Sequence, residues 1–185
     1  MKMRVISGEA KGRKLKMKES LPVRPTSDKV KGAVFNILAD LMPDCCFLDL
    51  FAGSGAIGIE AWSRGAGEVV FVERDSRVFD LLQENLRSVG FVTAKSSLAD
   101  FSVAISRMSG QQFDIIYADP PYQAGLYSEI MEKVAAHHLL TADGVLCLEH
   151  PKTLEHSHGS GWQVLQQKTY GDTKITFCRQ QSELT

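Results

Sequence analysis

Residues 119–122, Asp-Pro-Pro-Tyr, directly follow an apolar run and combine side chains suited to holding an amine. Two successive prolines remove two backbone donors and fix φ, so the Asp119 carboxylate and the Pro120 carbonyl are stiff acceptors with no donor beside them. An exocyclic NH₂ on a nucleobase would donate one hydrogen to each acceptor, which directs the nitrogen lone pair at an electrophilic methyl group. Tyr122 can stack on the same base. The alternative is a loop that only ends a strand.

Residues 49–58, Asp-Leu-Phe-Ala-Gly-Ser-Gly-Ala-Ile-Gly, place a G-x-G-x-x-G pattern between a predicted strand and a predicted helix. Glycines there allow a tight turn and close approach of the backbone to a ligand. Glu73 ends the next predicted strand, 15 residues past Gly58, and is placed to accept both hydroxyls of a ribose. Asp49 would oppose a pyrophosphate and favours a cationic ligand such as the ammonium of S-adenosylmethionine. In the alternative interpretation, Asp49 caps local backbone N–H groups.

Residues 96–100, Ser-Ser-Leu-Ala-Asp, follow the third predicted strand at the same edge of the sheet. Backbone groups near Ser97 and Leu98 can pack against or bond an adenine. A helix cap by Ser96 or Ser97 explains the segment as well.

The elements that must position these residues alternate between strand-like and helix-like patterns. Apolar runs predict strands at 47–51, 68–73, 91–95, 113–118, 145–149, 162–169 and 173–179. Helical spacing predicts helices at 30–41, 57–64, 78–86, 99–108 and 127–140, the first with N-cap chemistry at 26–28. Strands interleaved with helices are typical of a parallel sheet covered on both faces, while the last two strands are too close for a helical crossover and pair antiparallel. The sequence therefore predicts an α/β fold with a Rossmann-like, seven-stranded, mostly parallel sheet.

Charge is distributed unevenly along the chain. Residues 1–31 hold ten Lys or Arg and three Asp or Glu, a net charge of +7, whereas residues 32–185 carry a net charge of −8. A basic segment on an acidic body favours a polyanionic partner met at one end, and nucleic acid is the partner we expect. Short alternating stretches at 5–7 and 14–17 predict that this segment is a β-hairpin outside the main body. We accordingly expect an N-terminal hairpin and connector at 1–25 and a main domain at 26–185.

Composition excludes several classes of protein. With 185 residues, 44% of them hydrophobic and 23% charged, the chain has ordinary globular usage rather than that of a disordered or fibrous protein. No apolar run approaches the roughly 18 residues of a membrane span, and the N-terminus lacks the apolar region of a secretory signal, so we expect a cytoplasmic protein. The four cysteines have no C-x-x-C spacing and the histidines have no ligand spacing, so we expect reduced thiols and no metal.

Together these motifs resemble a class I S-adenosylmethionine-dependent methyltransferase of the amino-methylating kind. The segment at 24–38, Arg-Pro-Thr-Ser-Asp-Lys-Val-Lys-Gly-Ala-Val-Phe-Asn-Ile-Leu, is similar to the signature of the RsmD-like family, and residues 4–13 resemble that family's N-terminal hairpin. The resemblance covers nearly the whole chain. It implies methylation of the N2 amine of one guanine in 16S ribosomal RNA, on the small ribosomal subunit or an assembly intermediate, by a monomer without metal.

The resemblance also assigns residues to roles. Asp119 and Pro120 would hold the amine and Tyr122 would stack on the guanine, although several relatives carry Phe at the position of Tyr122. The candidate cofactor-binding residues are Asp49, Phe51, Gly53, Ser54, Gly55, Glu73, Arg74, Ser97, Leu98 and Asp119. The candidate RNA-binding residues are Arg4, Lys11, Arg13, Lys14, Lys16, Arg24, Thr26 and Lys29.

Three other functions remain open from the sequence. The same tetrapeptide serves N6-adenine methylation of DNA or RNA, although the chain has little room for a separate target-recognition domain. The glycine loop alone also fits a nicotinamide-dependent oxidoreductase. A non-catalytic RNA-binding assembly factor could keep the same fold.

Overall fold

The computed structural model describes residues 3–18, 27–121, 126–154 and 161–181. The chain divides into two compact units, Met1–Phe101 and Ser102–Thr185. The first unit holds, in chain order, α1 (Asp28–Ile37), a 3-10 helix (Ala39–Leu41), β1 (Cys46–Asp49), α2 (Ala56–Ser63), β2 (Glu68–Glu73), α3 (Ser76–Val89) and β3 (Lys95–Leu98). Helix α4 (Phe101–Arg107) leads into the second unit, which continues with β4 (Phe113–Ala118), α5 (Leu126–Ala136), β5 (Leu140–Pro151), β6 (Trp162–Tyr170) and β7 (Thr173–Gln180).

The seven strands form one sheet in the order β3-β2-β1-β4-β5-β7-β6. β2 pairs parallel with both β1 and β3, and β5 pairs parallel with β4. β7 pairs antiparallel with both β5 and β6, so it is the reversed strand. The predicted α/β fold with a seven-stranded, mostly parallel sheet is therefore confirmed. Within the described residues, no helix is long and apolar enough to span a membrane.

Helix α2 lies unusually close to β2 because Gly58 has no side chain. A Cβ on Gly58 would lie 2.2 Å from Cε1 of Phe71, whose ring is fully buried. The third glycine of the G-x-G-x-x-G pattern therefore serves helix–strand packing, as expected for a helix that follows a ligand-binding loop.

The third strand was predicted at 91–95 but lies at Lys95–Leu98. Gly90 ends α3 in the left-handed conformation with φ of 85°, and its N–H donates to the carbonyl of Arg87. The N–H of Phe91 then donates to the carbonyl of Leu86, which is the hydrogen-bond pattern of a Schellman cap. Phe91 stacks on Trp62 with ring centroids 4.5 Å apart. The apolar residue that suggested a strand thus belongs to the end of a helix.

The helix predicted at 127–140 ends early, at Ala136. His138 has a positive φ of 52°, and the N–H of Leu139 returns to the carbonyl of Val134. Leu140 is already the first residue of β5, which is longer than the predicted strand at 145–149.

Residues 3–18, which we call the N-terminal arm, contain the predicted antiparallel pairing. The N–H groups of Val5 and Leu15 donate to the carbonyls of Arg13 and Met3, and Arg4 forms a β-bridge with Lys14. Met3, Val5 and Leu15 of this hairpin are buried, and the division of the chain into a hairpin segment at 1–25 and a main domain at 26–185 stays a prediction. The predicted domain boundary after residue 25 falls within 19–26, outside the described residues.

Glu60 of α2 attaches the arm to the rest of the first unit. Its carboxylate is fully buried and accepts the N–H groups of Ile6 at 2.8 Å and Ser7 at 3.0 Å. It also pairs with Lys31 of α1 at 3.3 Å and with Arg64 at 2.8 Å. Two cations and two backbone donors compensate the burial of this charge, which would otherwise be strongly unfavourable.

The two mid-helix glycines should respond oppositely to alanine. Gly58→Ala should lower the free energy of unfolding by about 1–3 kcal/mol, because the new methyl group must displace the Phe71 ring in a filled core. Gly32→Ala is the matched control, since its Cβ would meet only Cδ1 of Ile6, at 3.4 Å. There alanine should raise stability by up to about 1 kcal/mol. Urea unfolding of both variants measures the difference, and equal effects would contradict the packing role of Gly58.

Candidate functional site

Asp49 ends β1 with its carboxylate buried, at 2% exposure. Its Oδ2 accepts the N–H of Gly58 at 2.9 Å, and no described residue donates to its Oδ1. Burial raises the pKa of Asp49 from 3.8 to about 7; the Gly58 hydrogen bond opposes this rise, and the charge of Glu73 adds to it. The local backbone contact of the alternative interpretation is therefore present. Since Oδ1 of Asp49 receives no hydrogen bond from any residue that the structure describes, it suits an incoming cation.

Glu73 ends β2 and holds the glycine loop by its backbone. Its Oε2 accepts the N–H of Gly53 at 3.0 Å, and its Oε1 accepts the N–H of Asp75 at 2.8 Å. Each carboxylate oxygen can accept a second hydrogen bond, so the half-buried Glu73 keeps acceptor capacity for ligand hydroxyls. Asp75, which the sequence reasoning missed, is the N-cap of α3 and accepts the N–H groups of Arg77 and Val78.

The glycine loop needs its glycines for conformation as well as for space. Gly55, the N-cap of α2, has φ of 83°, and a Cβ there would lie 2.5 Å from Cδ1 of Leu82. Gly53 also has a positive φ, of 54°. The N-cap Gly55 has no side chain that could cap α2, and the Asp49 carboxylate instead accepts the N–H of Gly58 in the first turn of the helix.

Ser97 and Leu98 lie at the predicted carboxyl edge of the sheet, although they are the last two residues of β3 and do not follow it as predicted. They are in register with Val72 and Glu73 of β2. Leu98 is 49% exposed, so it offers an apolar surface beside the Glu73 carboxylate. This pairing suits a ligand with a ribose and an aromatic base.

Three other predicted cofactor residues have different surroundings. Ser54 is buried, and its hydroxyl lies 3.3 Å from Sδ of Met3. Phe51 is half-buried and its ring is 5.3 Å from the ring of Phe101. Arg74 is exposed directly after β2. Their cofactor contacts stay predictions.

In the second unit, Asp119 and Pro120 directly follow β4. Asp119 is half-buried and Pro120 is buried, whereas Tyr122 lies outside the described residues. The Tyr117 phenol, two residues earlier, donates a hydrogen bond to the buried carboxylate of Glu149 on β5. Burial, and then the charges of Glu149 and Asp119, raise the pKa of Tyr117 well above its usual range, so the phenol keeps its proton. Sequence reasoning missed Glu149, because its partner Tyr117 lies 32 residues away in the sequence and no local motif links the two.

The predicted RNA-binding residues differ in whether their side chains form ion pairs within the described structure. Lys11, Arg13, Lys14 and Lys29 are exposed, and the described part of the chain gives them no ion pair. Arg4 pairs with Asp28 at 3.1 Å, and Lys16 pairs with Glu84 at 3.2 Å. Lys31, which counted toward the charge of the segment, is fully buried. Arg24 and Thr26 lie outside the described residues. Nowhere in the described ranges do three or more His, Cys, Asp or Glu residues cluster as metal ligands.

The raised pKa of Asp49 makes stability depend on pH. Between 3.8 and about 7 the folded chain holds a proton that the unfolded chain has lost, so the Asp49 contribution to stability falls as the pH rises. Asp49→Asn removes this titration. The free energy of unfolding of the unmodified chain, relative to that of Asp49→Asn, should fall by about 1–3 kcal/mol from about pH 5 to about pH 8.

Denaturant unfolding at several pH values measures this difference, with Asp80→Asn as the control at an exposed acid of the same unit. A stability difference between the unmodified chain and Asp49→Asn that does not change with pH would show that Asp49 titrates normally.

Several proteins similar to this chain are named as rRNA methyltransferases. The "Putative rRNA methyltransferase YlbH" of Bacillus subtilis is 35% identical over 95% of this chain and 97% of its own length. Ribosomal RNA small subunit methyltransferase D of Escherichia coli K12 is 33% identical over 80% of this chain and 74% of its own length. Among solved structures, the "Putative methyltransferase yhhF" of Escherichia coli superposes with a TM-score of 0.88 at 28% identity, covering 99% of this chain and all of that one.

The family model described as conserved hypothetical protein 95 matches residues 3–179. This match spans the N-terminal arm, the glycine loop, the Asp-Pro-Pro-Tyr segment and most of β7. The chain therefore belongs to the family of conserved hypothetical protein 95, the RsmD-like family that its motifs resemble.

Proposed function

We propose that this protein is an rRNA methyltransferase that transfers a methyl group from S-adenosylmethionine to the exocyclic N2 amine of a guanine in 16S ribosomal RNA. The observation that carries the proposal is the buried Asp49 carboxylate, one oxygen of which receives no hydrogen bond from the described residues, beside a glycine loop held by Glu73. Family membership supports RNA methylation as the reaction. The protein acts as a cytoplasmic monomer, on the small subunit or an assembly intermediate.

The residues of the first unit fit S-adenosylmethionine, which supplies an electrophilic methyl group on a sulfonium. Asp49 receives the ammonium of the methionine portion, because an opposite charge offsets the cost of ionising a buried carboxylate. Glu73 accepts the ribose hydroxyls, and Leu98 packs against the adenine. A pyrophosphate at the start of α2 would meet the Asp49 carboxylate, so this loop disfavours a nicotinamide dinucleotide.

Asp119 and Pro120 act on the amine of the base. The carboxylate of Asp119 and the carbonyl of Pro120 each accept one N–H, which draws the nitrogen toward pyramidal geometry and frees its lone pair. The N–H becomes acidic only as the nitrogen gains its methyl group, and Asp119 then accepts the proton. Tyr122 stacks on the base, a contact worth about 1–3 kcal/mol. A guanine inside a folded helix must first be flipped out, at a cost of a few kcal/mol.

Mapping methylated bases tests the substrate assignment. Small-subunit rRNA from a strain lacking the gene should lack one N2-methylguanine, and restoring the gene should restore it. A missing N6-methyladenine would instead identify the adenine-methylating alternative, since the tetrapeptide suits both amines. No change in any base would favour a non-catalytic assembly factor.

Asp119→Asn should lower the methylation rate at least about 100-fold, because loss of the carboxylate removes charge stabilisation at the reacting nitrogen. The affinity for S-adenosylhomocysteine should stay within about twofold of the unmodified value, since the ammonium and ribose partners are untouched. Single-turnover methylation and calorimetry measure the two effects. Asp143→Asn, an exposed acid of the same unit, is the control. Full activity in Asp119→Asn would contradict the assigned role.

Reversing the charges of Lys11 and Lys14 together should weaken RNA binding and lower its salt dependence. Both side chains are exposed and outside the ion pairs described above, so they are free to contact phosphates. The slope of log affinity against log salt should fall by about 1–2, because each phosphate contact contributes roughly 0.7–0.9. Lys168→Glu on β6 is the control. An unchanged affinity and slope would show that these lysines are only solvated.

A further inference from the structure

Asn85 of α3 is fully buried. It connects the glycine loop, which binds the cofactor in the proposed reaction, to the N-terminal arm, which binds RNA. Its Nδ2 donates to the carbonyl of Ser54, in the glycine loop, at 2.9 Å. The same amide accepts the N–H of Lys16 at 2.7 Å and donates to the carbonyl of Lys16 at 3.2 Å, as a neighbouring strand would. Both donor hydrogens and the acceptor of this side chain are therefore used.

A second contact joins the same two segments. Sδ of the buried Met3 lies 3.3 Å from the hydroxyl of Ser54. Met3 is in turn paired with the other strand of the arm, because its carbonyl accepts the N–H of Leu15. Ser54 is thus held by both strands of the N-terminal arm, by its main chain through Asn85 and by its side chain through Met3.

Ser54 lies in the part of the glycine loop that a bound ligand would fix. Ser54 stands between Gly53 and Gly55, both at positive φ, so the backbone on either side has the conformational freedom of glycine. The N–H of Gly53 is bound by Glu73, the residue that we assign to the ribose. A ligand that fixes the loop therefore fixes the carbonyl to which Asn85 donates, and through Asn85 the backbone of Lys16.

We propose that Asn85 is a positioning residue that couples cofactor binding to RNA binding by tying the glycine loop to the N-terminal arm. This inference rests on the proposed function of the loop and the arm. Cofactor bound at the loop and RNA bound at the arm both favour the arrangement in which Asn85 holds Ser54 and Lys16 together, so each ligand stabilises the form that binds the other. The coupling is reciprocal, and RNA tightens cofactor binding by the same factor.

The test measures RNA affinity with and without saturating S-adenosylhomocysteine, using unmethylated 16S rRNA both as a transcript and in isolated small subunits. In the unmodified chain, S-adenosylhomocysteine should tighten RNA binding about fivefold or more. In Asn85→Leu, which has similar volume but no amide, this factor should fall below about twofold. Glu84→Gln is the control, because it removes the surface ion pairs of Lys16 and Lys18 without touching the amide. Its coupling factor should match that of the unmodified chain.

Hydrogen exchange keeps the inference testable if Asn85→Leu does not fold. In the unmodified protein, S-adenosylhomocysteine should slow exchange of the Lys16 amide, which donates to Asn85. Three results would overturn the inference. In the unmodified chain, these are an RNA affinity that S-adenosylhomocysteine does not change and a Lys16 amide exchange rate that it does not slow. The third is a folded Asn85→Leu variant in which S-adenosylhomocysteine tightens RNA binding as much as in the unmodified chain. Loss of the proposed function would look different, since the unmodified chain would then neither bind S-adenosylhomocysteine nor methylate rRNA.

Discussion

Two carboxylates at the ends of adjacent strands hold the glycine loop by its backbone, and the rest of the site depends on this arrangement. Asp49 binds Gly58 and Glu73 binds Gly53, so both ends of the loop are fixed to the sheet. Neither contact exhausts its carboxylate. The same groups that shape the loop can therefore also bind a ligand with an ammonium and ribose hydroxyls. Burial disfavours the charged form of Asp49 when no such ligand is present. Binding of a ligand with an ammonium group would therefore favour ionisation of Asp49.

Helices α2 and α3, which precede and follow β2 in the chain, connect the glycine loop to the N-terminal arm. Helix α2 begins at the glycine loop and carries Glu60, whose buried carboxylate binds the arm backbone at Ile6 and Ser7. Helix α3 begins beside Glu73 and carries Asn85, which binds the arm at Lys16. The arm is thus part of the unit that contains the glycine loop, although its charge and composition set it apart in the sequence. Lys11 and Lys14 of the arm are exposed.

Local sequence patterns predicted the features that depend on neighbouring residues, such as several strands and the glycine loop. The strands at 68–73 and 113–118 were predicted with their observed bounds, because each is a mainly β-branched and aromatic run bounded by glycine or polar residues. The glycine loop and the acid at the end of the next strand were recognisable from spacing alone. The strand predicted at 91–95 was wrong because Phe91 closes a helix cap, a role that only tertiary packing on Trp62 reveals. Glu60 and Asn85 could not be found, since a single polar residue in a helix shows no pattern until its distant partners are known.

The most direct test of the account is the proton balance of cofactor binding, measured by calorimetry in buffers of different ionisation enthalpy. With a pKa of about 7, Asp49 is about half protonated at neutral pH, and an ammonium beside it stabilises the charged form. Binding of S-adenosylhomocysteine at about pH 7 should therefore release about half a proton, and Asp49→Asn should release none. Binding without proton release in the unmodified chain would contradict the placement of the ammonium at Asp49, and preferential binding of NAD would contradict the assignment of the loop.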